Sequence, residues 1–155
     1  DIKSLDDIRK LPFLEKKAVR DAYPWGAVTA PRDQLKEMHS TSGTTGKPVL
    51  VFATAKDIDF WGELNARELW MVGVRPGDKL LNAYGYGLPT GGFGFHYGAQ
   101  KMDVLAIPTG SGQAERQVTL LNDLDIQAFC MTPSFALYCG QKAQDLGLKL
   151  HEKEN

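Results

Sequence analysis

Apolar and polar positions alternate in blocks along the chain, and from residue 49 onward these blocks predict strands and helices in turn. Residues 49–52 form a short apolar run of strand character, and the segment after it repeats apolar residues at helical spacing. Further short apolar runs predict three more strands, at residues 79–83, 104–107 and 128–131. Strands that alternate with helices are typical of βαβ units. We therefore predict an α/β fold with a parallel or mixed sheet flanked by helices.

Helix starts and ends are marked by residues that satisfy free backbone groups. Ser4 with Asp7, and Thr54 with Asp57, form the pattern of a capping box, in which each side chain bonds the backbone of the other residue. Gly73 stands where a helix end favours a left-handed conformation. The last two predicted helices follow turn-like loops at residues 110–112 and 132–134. These signals place the ends of elements to within a few residues.

The long helical segment that starts near residue 54 carries a predicted apolar face. Ile58, Trp61, Leu69 and Val72 share that face at the spacing of an amphipathic helix. We expect Trp61 and Trp70 to pack this helix against the sheet.

The chain divides into three segments by composition. Residues 1–38 are polar and helix-prone, and are predicted to form a helical N-terminal segment that packs on the core. Residues 39–150 form the predicted α/β subdomain, and residues 151–155 form a polar tail.

Composition and charge exclude several classes of protein. Hydrophobic residues make up 43% and charged residues 24% of the 155 residues, and the net charge is −1, so neither nucleic acid nor a membrane is an expected partner. No apolar run approaches the roughly 20 residues of a membrane helix, and the first ten residues lack the order of a signal peptide. Cys130 and Cys139 lie in an apolar stretch and are expected to be buried, reduced thiols. These features predict a globular protein of the cytoplasm.

Candidate chemistry is concentrated at residues 41–48, which read TSGTTGKP. Glycines let the backbone turn so that several N–H groups converge on an anion, and hydroxyl groups with a lysine add further donors suited to phosphate. The loop is not a Walker A motif, because a proline and a strand follow Lys47 where that motif has a hydroxyl residue and a helix. By composition alone, a solvated turn without a ligand is an equal alternative.

The order of these residues resembles the phosphate-binding loop of the adenylate-forming superfamily. The segments 11–26, 82–100 and 132–138 are similar to phenylacetate–CoA ligases, and the resemblance covers about residues 1–147. It implies part of the large N-terminal domain of such an enzyme. Because members are several hundred residues long, the mobile C-terminal domain with its catalytic lysine is expected beyond this sequence. Such a fragment is predicted to be inactive alone.

The resemblance implies ATP-dependent activation of an aryl-acetic or related aromatic acid, first to an acyl-adenylate and then to a CoA thioester. The resemblance implies ATP and Mg²⁺ as cofactors and CoA as the co-substrate. The loop residues implied to hold the ATP phosphates are Thr41, Ser42, Gly43, Thr44, Thr45, Gly46 and Lys47. Lys47 is expected to act as an electrostatic stabiliser, and neither an acid–base catalyst nor a metal ligand is assigned within the chain.

The implied acid pocket includes Tyr84, Gly85 and Pro89. Tyr84 matches an aromatic residue that packs against the substrate ring, although a core or surface tyrosine is the alternative. Pro89 departs from the family pattern, since the chain reads GLPTGG where the family usually has GLFTGG. Loss of that aromatic wall is expected to alter the pocket, which leaves open an aryl or indolyl acid of different bulk.

Other candidate residues carry less chemical information. His96 lies after the pocket loop and is expected to be a packed structural histidine and not a base. Glycine pairs such as Gly92 and Gly94 begin a dinucleotide fingerprint but lack its third glycine, which excludes a nicotinamide site. The histidines and cysteines match no zinc spacing.

Three functions from different classes remain open. The first is the acid–CoA ligase, the second is an adenylation domain that loads a carrier protein, and the third is a non-catalytic nucleotide-binding module. Because an incomplete α/β domain exposes sheet edges, we also predict a homodimer or self-association.

Overall fold

In the computed structural model, which describes residues 2–43 and 46–150, the strands form two separate sheets. Strands β1 (Leu35–Ser40) and β2 (Leu50–Thr54) pair antiparallel. Strands β3 (Lys79–Asn82), β4 (Leu105–Ile107) and β5 (Ala128–Cys130) form a parallel sheet in the order β4-β3-β5. This confirms the predicted α/β class, and the four strands predicted from apolar runs are all present.

Helices flank the parallel sheet and connect its strands. The α-helices in the described residues are α1 (Lys16–Asp21), α2 (Ala55–Met71), α3 (Gly91–Lys101), α4 (Ala114–Asp123) and α5 (Pro133–Asp145). Short 3₁₀ turns cover Leu5–Lys10 and Arg32–Gln34. None of the helices in this part of the chain combines the length and the hydropathy needed to cross a bilayer.

Strand β1 was not predicted, and it crosses residue 38, where the sequence analysis had divided the chain. Its register places Glu37 opposite Ala53 and His39 opposite Val51, with an irregularity between Leu35 and Glu37. His39 is the one buried residue of this strand, so the strand lacks the alternation of apolar residues that identifies strands in a sequence. Pairing with β2, which lies beyond the hairpin loop, is what makes this segment extended.

The N-terminal segment packs on the β1–β2 hairpin. The ring of Trp25 stacks on Phe52 of β2 with 4.6 Å between centroids, and the guanidinium of Arg32 lies 4.5 Å from the Trp25 ring. Earlier apolar residues of the segment, such as Phe13, stay exposed.

Two apolar clusters form the core. The larger one lies where α2 and α3 meet the parallel sheet, and its buried members are Leu69, Val74, Leu80, Ala99, Met102 and Val104. The smaller one joins α4 to α5 through Ala114, Val118, Cys139 and Ala143.

Helices α2 and α3 approach each other closely because glycines line their contact. A β-carbon at Gly98 would lie only 2.7 Å from Cβ of Asn65, and one at Gly94 would lie 2.8 Å from Nε1 of Trp61.

The predicted apolar face of α2 is wrong in part, because two of the residues expected to pack are not buried. Val72 is 74% exposed and Trp70 is half-exposed, covered on one side by the Arg75 guanidinium at 3.9 Å. Trp61 packs against Tyr97 of α3 and against His39 of β1, so it meets the two-stranded sheet as well as the helix.

Apolar side chains remain exposed on the outer strands and on α5. Leu105 of β4, Phe129 of β5 and Leu137 of α5 are each more than half-exposed. Both β4 and β5 pair only with β3 in the described residues, which leaves their outer edges without a partner strand there.

Candidate functional site

The carboxyl ends of β3 and β4 meet at Asn82, a fully buried residue at the end of β3. Its side-chain amide donates to the carbonyl of Gly92 at 2.7 Å and to the hydroxyl of Tyr86 at 2.8 Å. Its Oδ1 accepts the N–H of Tyr84 at 3.2 Å, and its backbone carbonyl accepts the N–H of Gly110 at 3.2 Å. Asn82 therefore holds the loop after β3 in shape and joins it to the loop after β4. Ligands of open α/β sheets bind at this edge.

The loop after β3 carries the predicted acid-pocket residues Tyr84, Gly85 and Pro89. The half-buried ring of Tyr84 stacks on Phe95 of α3, with 5.6 Å between centroids and 14° between planes. A β-carbon at Gly85 would lie 3.7 Å from Oγ of Ser111, so the glycine-rich loops after β3 and β4 are neighbours. Pro89 is exposed near the start of α3. Tyr84 thus presents an aromatic surface that is backed by a second ring.

The predicted phosphate-binding loop is the tip of the β1–β2 hairpin. Thr41 closes it, because its N–H donates to the carbonyl of Val49 at 3.1 Å and its Oγ1 accepts the N–H of Val49 at 3.1 Å. Gly43 and Gly46 have φ angles of +67° and +130°, and the N–H of Gly46 donates to the carbonyl of Gly43. These conformations favour glycine, as the sequence led us to expect. Thr41 acts here as a brace of the loop, a role not predicted from the sequence.

The remaining predicted loop residues differ in what the structure describes. Ser42 and Lys47 are exposed, and the ammonium group of Lys47 lies 5.4 Å from the ring centroid of Tyr23. Thr44 and Thr45 lie outside the described residues, as does the predicted tail at residues 151–155.

The phosphate-loop hairpin and the acid-pocket loop are joined at the carbonyl of Leu88. This oxygen accepts the N–H of Ser40 at 3.0 Å and lies 3.1 Å from Nδ1 of His39. The other ring nitrogen of His39 lies 3.1 Å from the carboxylate of Glu37, which also accepts a hydrogen bond from the hydroxyl of Tyr97. A groove of about 410 Å³ opens beside this junction, lined in part by His39, Leu88 and Phe93. Hydrogen bonds from Ser40 and His39 to Leu88 therefore link the predicted phosphate loop to the predicted acid pocket.

Burial raises the pKa of two tyrosine hydroxyls behind these loops and so keeps them protonated. Burial raises the pKa of Tyr97 far above its ordinary value, and the adjacent Glu37 carboxylate raises it further. Burial also raises the pKa of Tyr86, whose hydroxyl lies 3.3 Å from Nδ1 of His96. The ring of His96 packs edge-on against both tyrosines, as expected for a packed histidine. The hydroxyls of Tyr86 and Tyr97 are therefore suited to holding position by hydrogen bonds.

Sequence reasoning missed three residues that organise the site. Asn82 had a readable signal, since a polar amide at the end of a predicted strand in a parallel sheet points to the ligand edge. Glu37 and His39 had none, because the strand that places them side by side was not predicted. No three His, Cys, Asp or Glu side chains within residues 2–43 and 46–150 converge to hold a metal ion.

Several phenylacetate–coenzyme A ligases are similar to nearly the whole chain. The protein from Aromatoleum evansii is 43% identical over 152 residues, covering 98% of this chain and 34% of the relative. The protein from Pseudomonas putida is 40% identical over 152 residues, covering 98% of this chain and 35% of the relative. The Escherichia coli K12 protein is 44% identical over 137 residues, covering 88% of this chain and 31% of the relative. The chain thus spans about a third of the length of the curated relatives it matches.

Solved structures of an acyl-CoA ligase share the fold. A crystal structure of 2-hydroxyisobutyryl-CoA ligase with 2-HIB-AMP and CoA matches with a TM-score of 0.85 and 32% identity, covering 94% of this chain and 32% of that one. An open conformation of that enzyme matches with a TM-score of 0.84 and 29% identity, covering 94% of this chain and 33% of that one. No protein-family model matches the chain.

Proposed function

This chain belongs to the phenylacetate–coenzyme A ligase family, and from that premise we propose that it supplies the phosphate loop and part of the acid pocket of an AMP-forming acid–CoA ligase. The observation that carries the proposal is the junction at Leu88. It sets a glycine- and hydroxyl-rich hairpin tip beside an aromatic loop at the carboxyl edge of a parallel sheet. One loop suits an anionic nucleotide tail, and the other suits an aromatic acid.

In the proposed reaction, a carboxylate attacks the α-phosphorus of ATP and releases pyrophosphate, and the CoA thiol then displaces AMP. Two anions must approach each other in the first step, so electrostatic stabilisation and positioning dominate. Ser42, Lys47 and the backbone N–H groups of the hairpin tip would hold the terminal phosphates. Mg²⁺ would neutralise part of the phosphate charge, and no three His, Cys, Asp or Glu side chains of the described residues converge on a metal ion.

For the acid, we propose an aryl-acetic or related aromatic carboxylate that packs on Tyr84. The stacked pair of Tyr84 and Phe95 supports this assignment because it presents a supported aromatic face at the ligand edge. Pro89 leaves the rim of the pocket without the aromatic ring usual in the family, so the preferred acid is expected to differ in bulk from phenylacetate. CoA is the proposed acceptor, because the matching relatives are named as CoA ligases.

A panel of aryl acids, assayed for pyrophosphate release with the full-length protein, tests this function. Lys47→Ala is expected to lower kcat/KM for ATP roughly 10- to 100-fold with every acid, since a charge-assisted hydrogen bond contributes about 1.5–3 kcal/mol. Lys16→Ala, which removes an exposed lysine of α1, is the matched control and should change nothing. Unaltered pyrophosphate release in Lys47→Ala would refute the assignment of the phosphate loop.

We further propose that the isolated chain is inactive, that it self-associates, and that the protein acts in the cytoplasm. Leu105 and Phe129 are exposed on strands whose outer edges have no partner strand among the described residues, and this supports self-association. The two free thiols support a reducing compartment. Sedimentation of the dilute chain as a monomer would contradict the second proposal.

A further inference from the structure

We propose that His39, oriented by Glu37, is a positioning residue that holds the acid-pocket loop against the phosphate hairpin and thereby sets the affinity for the acid. This inference rests on the proposed function, because it assigns the loop that contains Leu88 to acid binding. Neither side chain is proposed to touch the substrate.

The imidazole of His39 is placed to fix one backbone oxygen. His39 lies on β1 two residues before Thr41, which closes the phosphate loop, and its side chain is 7% exposed. The Leu88 carbonyl and the Glu37 carboxylate only accept hydrogen bonds, so each ring nitrogen that bonds its partner does so as a donor, Nδ1 to Leu88 and Nε2 to Glu37. Leu88 is four residues after Tyr84 and directly precedes Pro89. The hydrogen bond therefore anchors the middle of the pocket loop.

The ring itself is held by three elements. The Glu37 carboxylate faces Nε2 at 3.1 Å. The rings of Trp61 on α2 and Phe93 on α3 pack edge-on against the imidazole, with 5.5 Å and 5.4 Å between ring centroids. Glu37 is in turn fixed by the hydroxyl of Tyr97 on α3. Because His39 is packed against α2 and α3, its hydrogen bond to Leu88 fixes the position of the pocket loop relative to these two helices.

Loss of the bond to Leu88 should displace the pocket loop more than the hairpin. Strands β1 and β2 remain paired from Leu35 to Ser40 without any contribution from the imidazole. The pocket loop is held by Asn82 near its start and end, and between these points by the Ser40 N–H and His39 at Leu88. The expected signature is a rise in KM for the acid with little change in KM for ATP.

Two isosteric substitutions separate this role from simple packing. The side-chain amide of asparagine occupies the place of Nδ1, so His39→Asn keeps a donor for Leu88 and loses the contact with Glu37. The longer amide of glutamine occupies the place of Nε2, so His39→Gln keeps a partner for Glu37 and loses the donor for Leu88. Both remove the aromatic ring, so a purely structural role predicts the same result for both.

Steady-state kinetics of the full-length protein should show KM for the acid about 10-fold higher in His39→Gln, and no more than about 3-fold higher in His39→Asn. KM for ATP should stay within about 2-fold of wild type in both. Glu37→Ala, which leaves the imidazole intact, should raise KM for the acid by about 2- to 5-fold. Equal KM values for the acid in the two His39 variants, or KM values for acid and ATP that rise together, would overturn the proposal.

Amide hydrogen exchange provides a readout that does not depend on activity. Exchange across residues 84–92 should be several-fold faster in His39→Gln than in His39→Asn, because local opening follows the loss of loop hydrogen bonds. If the wild-type protein releases no pyrophosphate but this exchange difference is found, the proposed function fails and the positioning role stands. Equal exchange in both variants would remove the positioning role. If neither variant folds, unchanged exchange in Glu37→Ala would count against it.

Discussion

Gly43 and Gly46, at the tip of the β1–β2 hairpin, have φ angles of +67° and +130°, whereas Gly94 and Gly98 belong to the regular backbone of α3. A β-carbon at Gly46 would meet no atom of residues 2–43 and 46–150 within 4 Å, but one at Gly98 would lie 2.7 Å from Asn65. The hairpin glycines serve the conformation of the backbone, and the helix glycines serve the close approach of a neighbouring helix.

This difference separates a region that presents chemical groups from a region that fixes their position. The hairpin tip exposes Ser42 and Lys47 to solvent, where a ligand can reach them. The α2–α3 contact buries its glycines and carries Phe95 and Tyr97, which hold the pocket loop and the Glu37–His39 pair. Glycine content alone does not distinguish the two, because the distinction depends on what lies opposite each Cα.

The largest effect is expected from a methyl group added at the helix contact. In Gly98→Ala, the new β-carbon would press on backbone atoms of Asn65 and Ala66, which cannot rotate away. We expect a loss of about 1–3 kcal/mol of stability and a fall in Tm of roughly 3–10 °C in thermal unfolding. Gly140→Ala in α5 is the control, because its added β-carbon would meet none of the described atoms within 4 Å. This variant should raise Tm slightly, since alanine favours the helical conformation. Equal shifts in both variants would break the comparison.

A methyl group at the hairpin tip should affect ligand binding more than stability. Gly46→Ala has space but is strained at φ +130°, so the loop is expected to relax into another conformation. In the full-length protein, KM for ATP should rise roughly 5-fold while Tm falls by less than about 2 °C, since strain costs about 1–3 kcal/mol and the exposed loop can release part of it. Gly77→Ala carries similar strain at φ +89° in a distant turn and serves as the control. A matching rise in KM for ATP in that control would contradict the assignment.

A substitution on the rim of the pocket should change selectivity without changing nucleotide use. Pro89→Phe restores the aromatic residue usual in the family, and kcat/KM for phenylacetate relative to bulkier aryl acids should rise roughly 10-fold. KM for ATP should stay the same, whereas Lys47→Ala acts on all acids alike. If Pro89→Phe and Lys47→Ala changed the panel of acids in the same way, the separation of the two loops would fail.

The smallest effect is expected at the thiol of Cys130, which packs against the larger core cluster beside α2 and α3. Burial raises the pKa of Cys130 from 9.0 to about 12. The folded state therefore keeps the proton that the unfolded state loses above pH 9, so stability falls between pH 9 and pH 12. Alkylation of Cys130 by iodoacetamide, followed by peptide mass spectrometry, should be slow in the folded chain at pH 9 and rapid in urea. Equal alkylation rates in the folded chain and in urea would show that the folded structure does not protect Cys130.

Local features were predicted correctly where the interacting residues are close in sequence. Thr54 and Asp57 form their capping box, with the N–H of Thr54 donating to Asp57 at 2.8 Å. Gly73 has the predicted left-handed conformation, with φ of +100°. The spacing of three or four residues in such motifs is sufficient to define their geometry.

Features that depend on distant partners were missed. Leu69 is buried as predicted, but Trp70 and Val72, which were expected to pack, are exposed. Gly62 is the other buried residue of α2, because α3 approaches where glycines leave space. Strand β1 was missed because its identity as a strand comes from β2, and its buried residue is a histidine.

By itself, the sequence determined the alternation of strands and helices, the ends of those helices, and the glycine- and hydroxyl-rich character of the loop at residues 41–48. These depend on backbone preferences and on hydrogen bonds between near neighbours. Only the tertiary structure decided which glycines serve packing, and that His39 and Leu88, 49 residues apart, join the two loops. The physical reason is that a long-range hydrogen bond requires two separately folded elements to meet, and no local pattern of residues specifies that meeting.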